Sequence, residues 1–313
     1  MAKIFKFTLK HNMMSYPFLA AVVVFLIAGC IEALPIISGG NIEALHLFDA
    51  DTTSAPYLAF AIAVLPPLLT GREFTSGTVR NKLITGTSKK AFFVSHLLVN
   101  SVLTVILTLV YFLPSFVLCT KYYNMFKPYM VAYAIFCVAL GYLAVTALST
   151  VISIMSNRML ISLVAVLLVT ISFGLVDGRF GAALYYPKYD GYIEDSYQTE
   201  TDGTIDDLPE DWEIKKSPNP FFVEPGAKRT LMWTAKRIMP FEIINNGTGV
   251  ISEHLTSNDE YEYSKKEAEI QADGYPQIKE RCDALFYLPL YQLGFIAVVS
   301  CLGLFLFDRR NIK

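Results

Sequence analysis

Six stretches of the chain stay apolar for longer than the core of a soluble domain requires: Tyr16 to Ile37, Ala55 to Gly71, Leu97 to Leu118, Tyr129 to Ile154, Met159 to Val176 and Leu285 to Phe307. An α-helix rises about 1.5 Å per residue and a hydrocarbon core is about 30 Å thick, so runs of roughly 17 to 25 apolar residues are the length of a membrane span. The pattern predicts an all-α integral membrane protein with six transmembrane helices. Pro66 and Pro67 fall in the second run, and a membrane helix accommodates them when neighbouring helices or water satisfy the freed carbonyls. The first run follows Lys3, Lys6 and Lys10 as a signal peptide would, but its length and the lack of an A-x-A-like cleavage site favour a retained anchor.

Between the runs, polar residues are unevenly charged. With six spans, both termini and the second and fourth connections share one side. That side holds twelve basic residues (Lys3, Lys6, Lys10, Arg72, Arg80, Lys82, Lys89, Lys90, Arg158, Arg309, Arg310, Lys313) against Glu73 and Asp308. The other side holds Glu43, Asp49 and Asp51, then Lys121 and Lys127, and a long segment from Asp177 to Asp283 with twelve basic and 22 acidic residues. Short basic loops stay in the cytoplasm, whereas a long domain is translocated regardless of its charge. Both termini are therefore expected inside and the acidic domain outside, in a multi-pass protein of the cell membrane. The chain then divides into 1–176 with five spans, an extracellular domain at 177–283, and 284–313 with the sixth span.

Local periodicity adds detail at both ends of this plan. Met1, Ile4, Phe5, Leu9 and Met13 recur at spacings of three and four, with lysines on another face, which reads as an amphipathic helix lying along the inner leaflet. A frayed positive flank that merely orients the first span is the alternative. The external domain reads as α-rich or mixed. Leu231, Ala235 and Ile238 share one face of a short amphipathic helix ending near Pro240, SKKEAEIQA at 264–272 also looks helical, and the acidic stretch 199–213 is turn-rich. Asn246, Gly247 and Thr248 form a glycosylation sequon that carries little weight by itself. Cys119 and Cys282 fall near the outer face, where an oxidising compartment permits pairing; unpaired small apolar residues are the alternative.

Candidate chemistry is sparse. No G-x-x-x-x-G-K-[ST] phosphate cradle occurs, His11, His46, His96 and His254 are scattered, and neither H-E-x-x-H nor G-x-S-x-G is present. The expectation is a chain that is not itself an enzyme, with no cofactor, metal or catalytic residue. The short basic clusters are explained by topology, so no nucleic acid is expected as a partner. Ion-coupled carriers keep charges inside their spans because they use them, and here only Glu32 approaches one, near its outer end. A self-sufficient secondary carrier is accordingly disfavoured.

One polar stretch remains, GREFTSGTVRNKLITGTSKKAFFVSHLLVN at 71–100. Its Lys and Arg fit a topological anchor, but its length and its Ser-Gly-Thr do not. The pattern predicts a short helix capped by Ser76 and running through Gly77 to Ile84, a turn at Gly86, Thr87 and Ser88, and a new helix from Lys89.

This stretch resembles the signature of type-2 ABC transporter permeases: a glutamate, a Ser-Gly-Thr, a basic residue, an apolar pair, a polar turn with basic residues, and the start of span three. The ending LFLFDRRNIK is also similar to the family's apolar run closed by a basic cluster. The resemblance covers the membrane part, about two thirds of the chain, and departs at His96, where the family often has lysine. It implies a permease subunit of an ATP-driven exporter that pairs with a second permease chain in the lipid. Arg72, Glu73, Ser76, Gly77, Thr78 and Arg80, within a coupling segment at 72–90, would dock a separate cytoplasmic ABC ATPase that binds ATP and Mg. The alternative is a non-transporting sensor or immunity protein that binds a ligand through its extracellular domain.

Overall fold

Each apolar run forms a helix long and apolar enough to cross a membrane, and the chain is a multi-pass membrane protein of all-α architecture. The computed structural model describes residues 2–38, 54–118, 128–156, 158–184, 189–192, 215–246 and 287–310. In chain order the helices are α1 (Ala2–Met13), α2 (Tyr16–Ser38), α3 (Ala55–Pro66), a π-helical turn (Pro67–Gly71), α4 (Arg72–Thr75), α5 (Thr78–Ile84), α6 (Lys89–Leu118), α7 (Pro128–Met155), α8 (Met159–Leu184), α9 (Ala227–Ile238), α10 (Pro240–Asn246) and α11 (Leu288–Arg309). Two four-residue strands, β1 (Tyr189–Tyr192) and β2 (Lys215–Pro218), pair antiparallel between α8 and α9, with Tyr189 opposite Pro218.

α7 is the axis of the bundle and touches α3, α6, α8, α10 and α11. Lipid gives helices no hydrophobic reason to associate, so close backbone approach and interhelical hydrogen bonds must hold them together. α7 supplies both. Ala134, Cys137, Ala144 and Ala147 keep its buried surface low, and a Cβ at Gly141 would overlap the side chain of Ile244 on α10. Away from this axis the helices turn large apolar side chains outward, including Val23, Ile27 and Ile31 on α2, Val164, Leu168 and Ile171 on α8, and Val298 and Leu302 on α11.

The prolines in the second span are absorbed as the sequence requires. Pro67 lacks the N–H that would bond the Ala63 carbonyl, and Ser149 Oγ of α7 donates to that oxygen instead. The helix continues through the π turn into α4.

Two span boundaries differ from the apolar runs. α6 begins at Lys89, eight residues before the run at Leu97, because its first turns are amphipathic and bury Phe92, Phe93, Ser95 and His96. α8 continues to Leu184, so the expected domain boundary at Asp177 falls inside a helix, and Asp177 is buried rather than at the start of a water-exposed domain.

On two helices the structure shows where the expected face points. α1 packs on α6 through half-buried Phe5 and Leu9 with buried Thr8 and Asn12, whereas Met13 and Phe7 are exposed. On α9, Leu231 and Ile238 do share a face, but it points outward while Arg229 and Lys236 are buried. The expectations for Met1, Cys119, Cys282, the acidic stretch 199–213, SKKEAEIQA, and Gly247 and Thr248 of the sequon lie outside the described residues.

Candidate functional site

The 72–90 segment folds as two short helices that double back on the bundle. α4 ends when the Ser76 N–H bonds the Arg72 carbonyl (3.0 Å) and the Gly77 N–H bonds the Phe74 carbonyl (3.2 Å). Gly77 then takes a left-handed backbone, φ 72°, and the chain reverses into α5. L-residues reach this region only at a cost because Cβ crowds the following carbonyl, which explains a glycine here.

The same geometry overturns the expected cap. Ser76 does not cap α5; Gly77 occupies that position and no side chain bonds the first α5 amides. Ser76 Oγ instead reaches back to the Glu73 carbonyl (3.2 Å) and sideways to Thr78 Oγ1 (2.8 Å), because the left-handed residue turns Ser76 away from the new helix. The far end follows expectation. Thr87 N–H bonds the Lys82 carbonyl across a left-handed Gly86, and Ser88 Oγ accepts the Ala91 N–H at the start of α6.

Beneath α5 lies an aromatic seat. Val79 and Leu83 pack on Phe74, Phe92, Phe93, Ile154 and Phe307, with ring centroids 5.9 Å apart for both Phe74–Phe92 and Phe92–Phe307. The segment is thereby seated on α6, α7 and α11 together.

Polar contacts fasten the same region. Lys82 Nζ lies 2.6 Å from Glu73 Oε2, and His96 Nε2 lies 3.4 Å from the same oxygen. Thr75 Oγ1 accepts the Met159 N–H (2.9 Å), tying α4 to the first turn of α8. Lys89 Nζ donates to the carbonyls of Asp308 (3.0 Å) and Arg310 (2.7 Å), while Arg310 Nη1 donates to those of Ile154 (3.0 Å) and Met155 (2.6 Å). Carbonyls at helix C-termini have no intrahelical partner and carry partial negative charge. Lys89 and Arg310 are therefore also caps that draw the ends of α7 and α11 to the start of α6.

From His96 a polar seam runs into the bundle. Thr70 Oγ1 of the π turn lies 3.3 Å from His96 Nδ1, Asn100 Nδ2 donates to Thr70 Oγ1 (3.2 Å) and Thr150 Oγ1 (2.9 Å), and Thr104 meets Thr146 at 2.7 Å. With the imidazole proton on Nε2, the donors run in one direction, amide to Thr70 and hydroxyl to Nδ1, while Nε2 lies beside the Glu73 carboxylate without hydrogen-bond geometry. His96, Asn100 and Thr104 recur every four residues along α6, the last two bonding to α7, so the seam follows from helical spacing.

The six residues expected to form the site divide into two sets. Glu73 points inward as the bracket that Lys82 and His96 grip, and Thr78 is half-buried. Arg72, Ser76, Gly77 and Arg80 point outward. Lys82, His96, Thr70 and Asn100 were not among the expected site residues, and neither was Ile84, which is 72% exposed beside Arg80 and Asn81. Spacing offered a signal for Ile84, since Gly77, Arg80, Asn81 and Ile84 lie on the helix face opposite Val79 and Leu83. Lys82 carried none, because its partner lies across the Gly77 reversal.

A second buried polar cluster closes the opposite end of the bundle. Lys236 Nζ lies 3.0 Å from Asp177 Oδ1 and pairs with Glu242, and Asn245 Nδ2 donates to Asp177 Oδ2 (3.0 Å). Nearby, Gln292 Nε2 donates to the carbonyls of Arg237 (3.1 Å) and Met239 (2.8 Å) at the break between α9 and α10. Glu32, near the outer end of its span, accepts the Ser54 N–H at 2.6 Å, and Ser54 Oγ donates to Tyr111 Oη at 3.1 Å. Among the described residues no three His, Cys, Asp or Glu side chains converge to hold a metal. No family model, curated protein or solved structure matches the chain.

Proposed function

We propose that this six-span membrane protein is the permease subunit of an ATP-driven ABC exporter, and that the 72–90 segment is where a separate cytoplasmic ATPase engages it. One observation carries the reading: the segment presents Arg72, Ser76, Gly77, Arg80 and Ile84 outward from a bracket fastened to the ends of several spans at once. A positive turn that merely set topology would need neither the seat nor the fastening.

The geometry suits force transmission. A push on α5 passes through Val79 and Leu83 to Phe92 and Phe307, hence to α6 and α11, and through Lys82 and Glu73 to α4 and the π turn. A nucleotide-driven partner shifts the equilibrium between two states of the pathway only by contacting them differently. In this reading two ATPase subunits close on ATP and Mg, two permease chains line the route, and the six-span bundle rearranges around α7. The chain contributes docking and transmission, and hydrolysis belongs to the partner.

The test is capture of the intact assembly. Solubilised in mild detergent and purified through a tag on this chain, the protein is expected to bring an ABC-type ATPase, and an Arg80→Glu variant to lose it. Full biological activity in cells lacking every candidate ATPase would overturn the reading. It would favour instead a sensor or immunity protein acting through the segment between the fifth and sixth spans.

A further inference from the structure

α9 wears its charge on the wrong side for a helix in water. Around a 3.6-residue turn, Ala227, Leu231, Ala235 and Ile238 occupy one arc, with Arg229, Trp233 and Lys236 on the opposite arc. In water the apolar arc would turn inward. Here Arg229 and Lys236 are buried, Leu231 is 71% exposed and Ile238 is 39% exposed.

The buried cations are fully engaged, and their partners fix the depth of the helix. Arg229 donates to the carbonyls of Val223 (2.7 Å) and Leu184 (3.0 Å), while Lys236 reaches Asp177 and Glu242. Arg229 is matched to Leu184, and Lys236, further along α9, to Asp177, earlier along α8. α9 therefore runs antiparallel to the last two turns of α8. At about 1.5 Å per residue, Asp177 lies about 27 Å from the start of α8 at Met159, within a hydrocarbon core of about 30 Å. Leu184, at about 38 Å by the same rise, lies beyond it.

Exposed apolar side chains flank α9, alongside exposed Arg179 near the end of α8. α9 packs on both α8 and α11, where Leu175, Leu290 and Leu293 face outward. The Leu231–Ile238 stripe continues that band. Lys228, exposed in the first turn of α9, sits near the level of Leu184, where an ammonium reaches headgroups.

We propose that α9 lies in the bilayer leaflet distal to the coupling segment, with the Leu231, Ala235 and Ile238 face against lipid acyl chains and Lys228 at the headgroups. The segment after α8 is then in part a membrane element, not wholly a water-exposed domain. The inference rests on the six spans and not on the exporter reading, so loss of an ATPase partner leaves it standing.

Spin labels report the occupant directly. Leu231→Cys and Ile238→Cys, each in a background with the five native cysteines replaced by serine or alanine, are labelled and reconstituted in phosphatidylcholine liposomes. Collision with oxygen, which partitions into hydrocarbon, is compared with collision with a nickel chelate, which stays in water. Leu168→Cys on α8 provides the lipid reference and Lys90→Cys the aqueous one. A strong oxygen preference at 238, approaching that at 168, with a weaker one at 231 nearer the headgroups, is the expected result. Nickel preference at both would place α9 in water and overturn the proposal. Inaccessibility to both probes, with dipolar broadening between copies, would overturn it in favour of a contact with a second chain. Should the cysteine-free protein fail to insert, the fluorescence of a single tryptophan introduced on the outward face, Ile238→Trp with Trp212→Phe and Trp233→Phe, decides the matter: at least twofold quenching by dibrominated phosphatidylcholine is expected, and an unquenched signal refutes the placement.

Discussion

Glu73 and Lys82 meet 2.6 Å apart across the chain reversal at Gly77, locking α5 to the end of the second span. Both side chains are mostly buried, so the pair is worth more than an exposed one, for which about 0–1 kcal/mol is typical. Glu73→Gln and Lys82→Met are each expected to lower stability by about 1–3 kcal/mol and to speed tryptic cleavage at Arg80. The double variant should cost less than the sum, because the pair is removed together. Denaturation in detergent measures the coupling, and strict additivity would show that the bracket does not hold α5.

Gly77 is required for its backbone and not for space, since no atom lies within 4 Å of where a Cβ would sit. Gly77→Val should therefore cost about 1–2 kcal/mol through φ strain alone, while Gly77→Asn, which tolerates the left-handed region, should retain most of the stability and most of the partner capture. Equal damage from both substitutions would mean that the outward surface at 77 matters more than the turn.

The outward face should separate docking from folding. Arg80→Glu and Ile84→Ser alter exposed side chains away from Val79 and Leu83, so stability should move by no more than about 0.5 kcal/mol. Capture of the ATPase should fall at least tenfold, about 1.4 kcal/mol. Comparing the yield of co-purified partner with the melting curve of the same sample tests both halves.

Much of the architecture was legible because membrane spans announce themselves by length. The six runs became six helices, and the turn at Gly86 with the helix start at Lys89 followed from residue chemistry. What could not be read depends on which side of a helix faces protein and which faces lipid. Periodicity put Leu231, Ala235 and Ile238 on one face but carried no direction for it, and the fold turns that face outward. Asp177 seemed to end a span because charge usually does; its buried partner Lys236 lies 59 residues away. His96 looked like a departure from a resemblance, and only the fold brings it to Glu73 and Thr70.

The opposite end of the bundle offers the sharpest test of charge balance. Among the described residues, Asp177 and Glu242 both pair with the ammonium of Lys236, all three buried. Lys236→Met removes the buried ammonium with which both carboxylates pair, and breaking a buried pair in this way costs about 3–5 kcal/mol. Asp177→Asn leaves Lys236 paired with Glu242 and keeps a polar partner for Asn245, so a loss nearer 1–2 kcal/mol is expected. The asymmetry, not either value alone, carries the argument: a cluster held by packing would lose similar stability from both substitutions. Detergent unfolding of the two variants, read against Gly141→Leu as a pure packing lesion where α10 meets α7, distinguishes these origins.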